Sequence, residues 1–173
     1  MTDKQKRILR ASLELFANEG YAATATSKIA KAAGVSEGLI FRHFGNKQGL
    51  LQALMQDIEL QLGRLLGPIL MHTDAQAVIR QTLELPFTIA EEEHNYWKLQ
   101  FKLKWEAEYN QAAKMQPLLD KLSWAFAELG YPNPKLEAQL LNQLLDSVST
   151  DILRGNLPNR QEYLQFLIDK YKL

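Results

Sequence analysis

Apolar residues recur at helical spacing along almost the whole sequence, and this periodicity restricts the chain to a small set of folds. In the first segment Ile8, Leu9, Leu13, Phe16 and Ala17 fall on one helical face. Similar spacing returns after each break that contains Gly or Pro, and no stretch alternates between apolar and polar residues as a half-buried strand does. We therefore predict an all-α fold of about nine helices.

Capping and breaking residues predict where these helices begin and end. The first helix is expected near residues 3–19, and the second and third are short. We expect N-caps within Thr24–Ser27, at Ser36 and Asn46, in a Thr73–Gln76 capping box, at Asn133 before Pro134, and in an Asn159–Glu162 capping box. We expect helices to end at Gly20, Gly34, Gly45, Gly67-Pro68, Gly130 and Gly155, Pro86 to kink or interrupt the fifth helix, and Pro117 to lie in a first turn.

The composition is that of a folded globular protein. Of 173 residues, 46% are apolar and 23% are charged, and the net charge is zero, which excludes disorder for most of the chain. No run approaches the roughly 18 apolar residues of a membrane span. The first ten residues lack the apolar region of a secretory signal, so we expect a cytoplasmic protein that has no membrane partner. Because the sequence contains no Cys, disulfides, thiolate metal sites and Cys nucleophiles are excluded.

The zero net charge is a cancellation between two parts of the chain. Residues 1–47 contain eight Lys and Arg against four Asp and Glu, a net charge of +4, and the remainder carries −4. A basic N-terminal segment indicates a polyanionic partner, although a split of this size also arises by chance.

Two short helices are predicted on either side of Ala33-Gly34-Val35-Ser36. Paired short helices joined by a turn of three or four residues that contains Gly are typical of a helix-turn-helix, whose second helix enters the major groove of DNA. Ile29, Ala30, Val35 and Ile40 would lock the two helices together. An apolar corner between two helices gives the same pattern, so this spacing alone leaves both interpretations open.

Three segments in order and at the right spacing resemble the N-terminal DNA-binding domain of the TetR/AcrR family of bacterial transcriptional regulators. They are Gly20-Tyr21-Ala22-Ala23-Thr24, Ile29-Ala30-Lys31-Ala32-Ala33-Gly34-Val35-Ser36-Glu37-Gly38, and Phe41-Arg42-His43-Phe44-Gly45-Asn46-Lys47 followed by Leu50-Leu51. The resemblance extends over about 45 residues. It implies a DNA-binding domain at residues 1–47 and an effector-binding and dimerisation domain at residues 48–173.

The resemblance also implies which residues contact double-stranded DNA. Thr26 and Ser27 would touch phosphates, Glu37, Gly38 and Leu39 would lie near base edges, and Lys47 would hold a phosphate. Phe41, Arg42 and His43 occupy the later turn of the recognition helix. Phe41 stands where the family often has a Tyr that bonds a phosphate, and a phenyl ring cannot form that bond. Leu39 stands where a small residue or Thr is common, and it could contact a thymine methyl group.

An aromatic stripe in the second half of the chain has two interpretations. Such a stripe is often plain core, but members of the family usually bind a small molecule in this region. The residues that could line a pocket for an apolar or aromatic effector are Phe87, Trp97, Phe101, Trp105, Tyr109, Met115, Leu118, Leu122 and Phe126.

The last two predicted helices carry apolar residues over an arc too wide for one core contact, and such helices need a second partner. The residues concerned are Leu140, Leu141, Leu144, Leu145, Val148, Ile152, Tyr163, Phe166 and Leu167. In the family these helices form a four-helix interface between two subunits. A homodimer would bind a near-palindromic operator.

No catalytic constellation accompanies these features. His72 and His94 lie far from other residues with metal-ligand spacing, and Glu106 and Glu108 neighbour Lys102 and Lys104 as surface charge pairs do. We expect no enzyme activity, no cofactor and no metal. The sequence favours a ligand-responsive repressor, while an effector-independent regulator, an activator and an all-α small-molecule-binding protein without a DNA role stay open.

Overall fold

A computed structural model describes residues 1–103 and 112–173, and this described part is all-α. Its helices are α1 (Asp3–Glu19), α2 (Thr26–Ala33), α3 (Glu37–Phe44), α4 (Lys47–Met71), α5 (Ala75–Thr88), α6 (His94–Leu103), α7 (Ala112–Glu128), α8 (Pro134–Arg154) and α9 (Arg160–Lys170). A single 3₁₀ turn, Glu91–Glu93, precedes α6. Within the described residues there are nine α-helices and no strand, so the predicted fold class is confirmed.

The chain forms two compact units. The first contains α1–α3, α4 as far as Leu62, and α6, and the second contains the rest of α4 together with α5 and α7–α9. The predicted boundary after residue 47 falls inside the first unit, at the start of α4. The functional division at that point stays a prediction.

The first unit is built around α1, which packs against α2 and α6. A capping box formed by Thr2 and Gln5 starts α1. Fully buried side chains form the core of the unit: Ile8 and Phe16 from α1, Ile29 from α2, Ile40 from α3, and Leu50 and Leu54 from α4. Each fully buried Leu, Ile or Phe contributes about 1.5–3 kcal/mol relative to an exposed one, so this core fixes the short helices α2 and α3.

In the second unit α7 and α8 form the most extensive helix pair, and α5 packs against α7, α8 and α9. Val78, Ile79 and Leu83 of α5 are completely buried. Phe126 of α7 lies with its ring centroid 4.9 Å from that of Tyr131 and 5.9 Å from that of Tyr171.

Several predicted helix ends are confirmed. Gly34 and Gly155 adopt the left-handed conformation that follows α2 and α8. Asn46 Oδ1 accepts a hydrogen bond from the Gly49 backbone N–H at 2.8 Å, and the Asn159 side chain accepts one from the Glu162 backbone N–H. Pro134 is the first residue of α8, where its missing N–H costs nothing.

Pro68 and Pro117 were wrongly expected near helix ends, and Pro86 does not interrupt its helix. Helix α4 continues through Pro68 to Met71, α5 continues through Pro86 to Thr88, and Pro117 lies well inside α7. Ile69 beyond Pro68 and Pro86 itself are buried, so tertiary packing outweighs the lost hydrogen bond at these two sites.

The N-caps of two helices also differ from the prediction. Asp74 caps α5, because its carboxylate accepts a hydrogen bond from Ala77 N–H at 2.7 Å. Ala25 is the N-cap residue of α2 and has no side-chain oxygen to offer. The neighbouring Thr24 is buried instead, and its hydroxyl donates to the Gly20 carbonyl at 2.8 Å.

Candidate nucleic-acid interface

The helix-turn-helix predicted from spacing is present as α2, a tight turn and α3. Gly34 has φ +63°, and its backbone N–H donates back to the last turn of α2. The Val35 N–H donates to the Ala30 carbonyl at 3.0 Å and completes the turn. A left-handed residue at this position favours Gly, since a Cβ atom there would be strained. Ile29, Ala30 and Ile40 are buried between the two helices as expected.

The solvent-facing side of α3 carries the side chains predicted to read DNA. Gly38, Phe41 and Arg42 are exposed, and Leu39 and His43 are half-buried. Phe41 leaves 45% of its surface accessible, an unusual state for a large aromatic side chain. A short helix with one buried stripe and one bare face has the form required to lie in a major groove.

Thr26 and Glu37, both predicted to lie at the DNA surface, contact each other. The Thr26 hydroxyl donates to Glu37 Oε1 at 2.5 Å, which joins the first residue of α2 to the first residue of α3. Both side chains are half-buried. A hydrogen bond to a carboxylate is stronger than one between neutral groups, so this pair fixes how the start of α3 is presented. Sequence spacing could not reveal it, because the partners are eleven residues apart on different helices.

The start of α2 lacks a capping side-chain bond, and so does the start of α3 at Ser36. Ser27 is exposed in the first turn of α2. Backbone N–H groups at a helix N-terminus favour anions, and an exposed hydroxyl beside them can donate to the same anion. These groups are suited to a phosphate that approaches from solvent.

Lys47 is held in place by the loop before α2. Its Nζ lies 4.6 Å from the centroid of the Tyr21 ring and donates to the Ala22 carbonyl at 3.2 Å. Burial lowers the pKa of Lys47. A cation–π contact of this kind fixes a flexible side chain. The position of Lys47 at the DNA surface was predicted from the sequence, whereas its support by Tyr21 was not.

Arg7 is a second cation near the turn that sequence analysis did not select. A Cβ atom at Gly34 would lie 3.5 Å from Arg7 Nη1, so the guanidinium group lies beside the turn of the helix-turn-helix. Lys28, in contrast, pairs with Glu19 at 2.6 Å on the first unit's surface. The position of Arg7 is a property of α1 packing and has no local sequence signal.

The predicted effector-pocket residues are distributed over both units. Trp97 and Phe101 are half-buried on α6, and Phe87 and Met115 are half-buried in the second unit. Leu118, Leu122 and Phe126 are at most 2% exposed, as the plain-core interpretation predicts for them. Trp105 and Tyr109 lie outside the described residues. The pocket itself stays a prediction.

The residues predicted to form a subunit interface separate into two groups. One group is buried inside the chain's own core: Leu141, Leu145, Val148, Ile152 and Leu167. These five are buried within the single chain, although Val148 also lines a groove on the second unit. The other group faces outward: Leu140 is 52% and Phe166 58% exposed, and Leu144 and Tyr163 are half-buried.

The outward group borders a groove on the second unit. Its volume is about 370 Å³. The lining includes Leu140, Leu144 and Tyr163 together with Gln143, Ser147, Val148, Asp151 and Leu157. Leu136, one turn before Leu140 on α8, is a further exposed apolar residue at 62%. Helix α8 is therefore apolar on two faces, of which only one is covered by its own chain.

Within the described residues, no helix is long and apolar enough to cross a membrane. Among the same residues, no three His, Asp or Glu side chains are grouped so that they could hold a metal ion.

Comparison with known proteins identifies the N-terminal region. Residues 8–54 match the model of the tetR family of bacterial regulatory proteins. A stretch of 66 residues is 47% identical to the uncharacterised HTH-type transcriptional regulator YvkB of Bacillus subtilis, covering 38% of this chain and 35% of that protein. The chain thus matches about a third of the length of this relative.

Comparison of structures extends the likeness of fold to most of the chain. A TetR-like transcriptional regulator from Rhodococcus sp. RHA1 superposes with a TM-score of 0.77 and 18% identity, covering 88% of this chain and 85% of that one. The regulator FadR of Bacillus subtilis, solved with stearoyl-CoA, gives a TM-score of 0.67 and 23% identity, covering 94% and 96%. At these identities the likeness establishes the fold alone.

Proposed function

Because the chain belongs to the tetR family of bacterial regulatory proteins, we propose that it is a transcriptional regulator that binds DNA through α2, α3 and the start of α4. The observation that carries this proposal is the bare face of α3, with Phe41 and Arg42 exposed on a helix whose other face is locked by Ile40. The excess of positive charge in residues 1–47 supports it.

The contacts divide into two kinds. Ser27 lies in the first turn of α2, Arg7 beside the turn at Gly34, and Lys47 against the loop before α2. These residues are suited to phosphates and would set the register on the duplex. Leu39, Phe41 and Arg42 lie on α3, where they are suited to base edges and thymine methyl groups. Glu37 keeps one oxygen on Thr26 and has a second that could accept from a cytosine amino group.

We further propose that the protein acts as a homodimer. The uncovered face of α8, with Leu136, Leu140 and Leu144, and the exposed Phe166 of α9 supply an apolar surface that a second copy would bury. A two-fold dimer places the same patch on both subunits and presents two recognition helices to a near-palindromic operator.

The regulator is proposed to be a cytoplasmic, ligand-responsive repressor. FadR of Bacillus subtilis, which shares the fold, was solved with a small-molecule ligand. An effector would release DNA only if it binds better to the state whose recognition helices do not match the operator.

A fluorescence-polarisation titration tests DNA binding. The probe is duplex DNA taken from the region flanking the protein's own coding sequence, compared with a scrambled duplex of equal length. We expect preferential binding to the flanking duplex, weakened by Arg42→Ala. Arg160→Ala, which removes an exposed arginine of α9, is the matched control and should bind normally. Equal binding of both duplexes, or an equal loss in both variants, would contradict the proposal.

A further inference from the structure

Three buried polar atoms on α6 have no hydrogen-bond partner. They are His94 Nε2, Trp97 Nε1 and Gln100 Oε1, and within the described residues only the Tyr171 hydroxyl shares this state. Buried polar groups in folded proteins are almost always paired, because an unpaired one costs free energy. The presence of three on one ten-residue helix therefore needs an explanation.

The three side chains form one continuous stripe. They are spaced three residues apart, so neighbouring members are about 5–6 Å apart at Cβ, and the stripe extends about 9 Å along the helix axis. Phe101 follows Gln100 and lies, half-buried, in the same sector of the helix as Trp97 and His94. The stripe thus combines hydrogen-bonding atoms with two aromatic rings.

Other residues of α6 anchor the helix to its own unit. Leu99 and Leu103 are the buried residues of the helix. The Tyr96 hydroxyl donates to Asp57 Oδ2 at 2.8 Å, and Lys102 Nζ donates to the Asn18 carbonyl at 3.0 Å. The hydrogen bonds that anchor the helix therefore come from residues other than His94, Trp97 and Gln100.

We propose that His94, Trp97 and Gln100 recognise the effector, and that the effector is an elongated amphipathic molecule with hydrogen-bonding groups at both ends of an apolar body. This inference rests on the proposed ligand-responsive regulation. The Trp97 indole can only donate, so the molecule carries an acceptor such as a carbonyl oxygen. Gln100 Oε1 accepts, so it also carries a donor such as a hydroxyl or amide N–H. Its apolar body packs on the Trp97 and Phe101 rings. A purely apolar effector would leave all three atoms unpaired.

The free protein offers the first test. If Gln100 Oε1 is unpaired until the effector binds, Gln100→Leu removes a destabilising group, and we expect its melting temperature to rise by about 2–4 °C. Trp97→Phe keeps an aromatic ring and removes only the N–H and part of the ring system, so it serves as the second variant. Gln56→Leu, at an exposed glutamine of α4, is the matched control and should change little. A fall in the melting temperature of Gln100→Leu would mean that the oxygen already has a partner, and would overturn the proposal.

The second test uses two probes of similar length. One is 4-hydroxybenzamide, which has a donor and an acceptor at opposite ends of a ring, and the other is 4-ethyltoluene, which has neither. We expect only 4-hydroxybenzamide to raise the melting temperature of the wild-type protein, and Gln100→Leu to bind it about tenfold more weakly. Stabilisation by 4-ethyltoluene, by neither probe, or to an equal extent in Gln100→Leu would reject the proposed ligand class.

The same proteins separate this inference from the proposed function. Gln100→Leu should bind the flanking duplex as the wild type does, because residue 100 is outside the head formed by α2, α3 and the start of α4. If the wild type binds 4-hydroxybenzamide but no DNA, the DNA-binding proposal fails and the ligand site stands. If the wild type binds DNA, but Gln100→Leu melts at a lower temperature and binds 4-hydroxybenzamide as tightly as the wild type does, the ligand site fails and the DNA-binding proposal stands.

Discussion

The hydrogen bond between Thr26 and Glu37 leads to a prediction that separates two roles for one residue. Thr26 could contact a DNA phosphate directly, or it could act through Glu37 by fixing the start of α3. Thr26→Val removes the hydroxyl and keeps the shape of the side chain. Hydrogen bonds to charged groups contribute about 1.5–3 kcal/mol. Both partners are half-buried, so water replaces part of the interaction, and we expect a loss of about 1 kcal/mol and a fall of about 2–4 °C in melting temperature.

The salt dependence of DNA binding supplies a control. Only the loss of a cationic phosphate contact lowers the slope of log K against log salt concentration, by about 0.9, so neither role of the neutral Thr26 hydroxyl changes that slope, and the melting temperature separates the two roles. We expect Thr26→Val to melt earlier and to bind the operator about fivefold more weakly at an unchanged slope. Ser27→Ala, at the exposed neighbour, should keep the wild-type melting temperature. It should show weaker binding because it loses a neutral phosphate contact.

A double-mutant cycle decides whether the two residues act together. Glu37→Gln keeps the shape of the acceptor and removes its charge. If the hydrogen bond is the source of the effect, Thr26→Val should cost much less in the Glu37→Gln background than in the wild type. Equal costs in both backgrounds, or a melting temperature for Thr26→Val within about 1 °C of the wild type, would refute the positioning role and leave Thr26 as a direct phosphate contact.

Three further predictions follow from the two units. Arg42→Ala combined with Lys47→Ala should reduce the salt slope of operator binding by about one to two units, measured by polarisation; a slope equal to that of the wild type would remove both residues from the phosphate contacts. Leu144→Glu should convert a dimer into monomers in analytical ultracentrifugation, because it places a charge in the apolar interface; an intact dimer would show that another surface pairs. Burial, then the hydrogen bond to Asp57, raises the pKa of Tyr96 to about 12, so its contribution to stability is complete below about pH 10 and is lost as the pH rises from 10 to 12. Tyr96→Phe should flatten that alkaline loss in circular dichroism, and an equally steep loss would contradict the assignment.

Local sequence signals predicted the helix-turn-helix well because its geometry is determined locally. The left-handed Gly34, the short helices on each side and the buried Ile29 and Ile40 are all encoded within about 20 residues. The Asn46 and Asn159 caps are equally local. The hydrogen bond from Thr26 to Glu37 and the contact between Lys47 and Tyr21 depend on how separate helices pack, and no spacing rule identifies them.

The prolines show that local sequence signals can also predict a helix break where none occurs. Pro68, Pro86 and Pro117 are strong helix breakers when read by themselves, yet each lies within a continuous helix. A proline removes one backbone hydrogen bond, while the next helical turn can bury several apolar side chains. At Pro68 the following Ile69 is only 2% exposed, so its burial offsets part of the local cost.

In helix α8, the burial of individual residues adds information that the apolar periodicity of the sequence does not contain. The sequence shows that its apolar arc is too wide for one contact, but periodicity cannot say which edge of the arc the chain covers itself. Burial of Leu141 and Leu145 against an exposed Leu140 and a half-buried Leu144 assigns the two faces. The consequence is a sharper pair of experiments than the sequence allowed. A charge at Leu145 should unfold the second unit, since it would be buried without a partner, whereas a charge at Leu140 should leave the fold intact and separate the subunits. If the Leu145 and Leu140 variants both unfold, or if both remain dimeric, then the faces of α8 do not have the separate roles that their burial indicates.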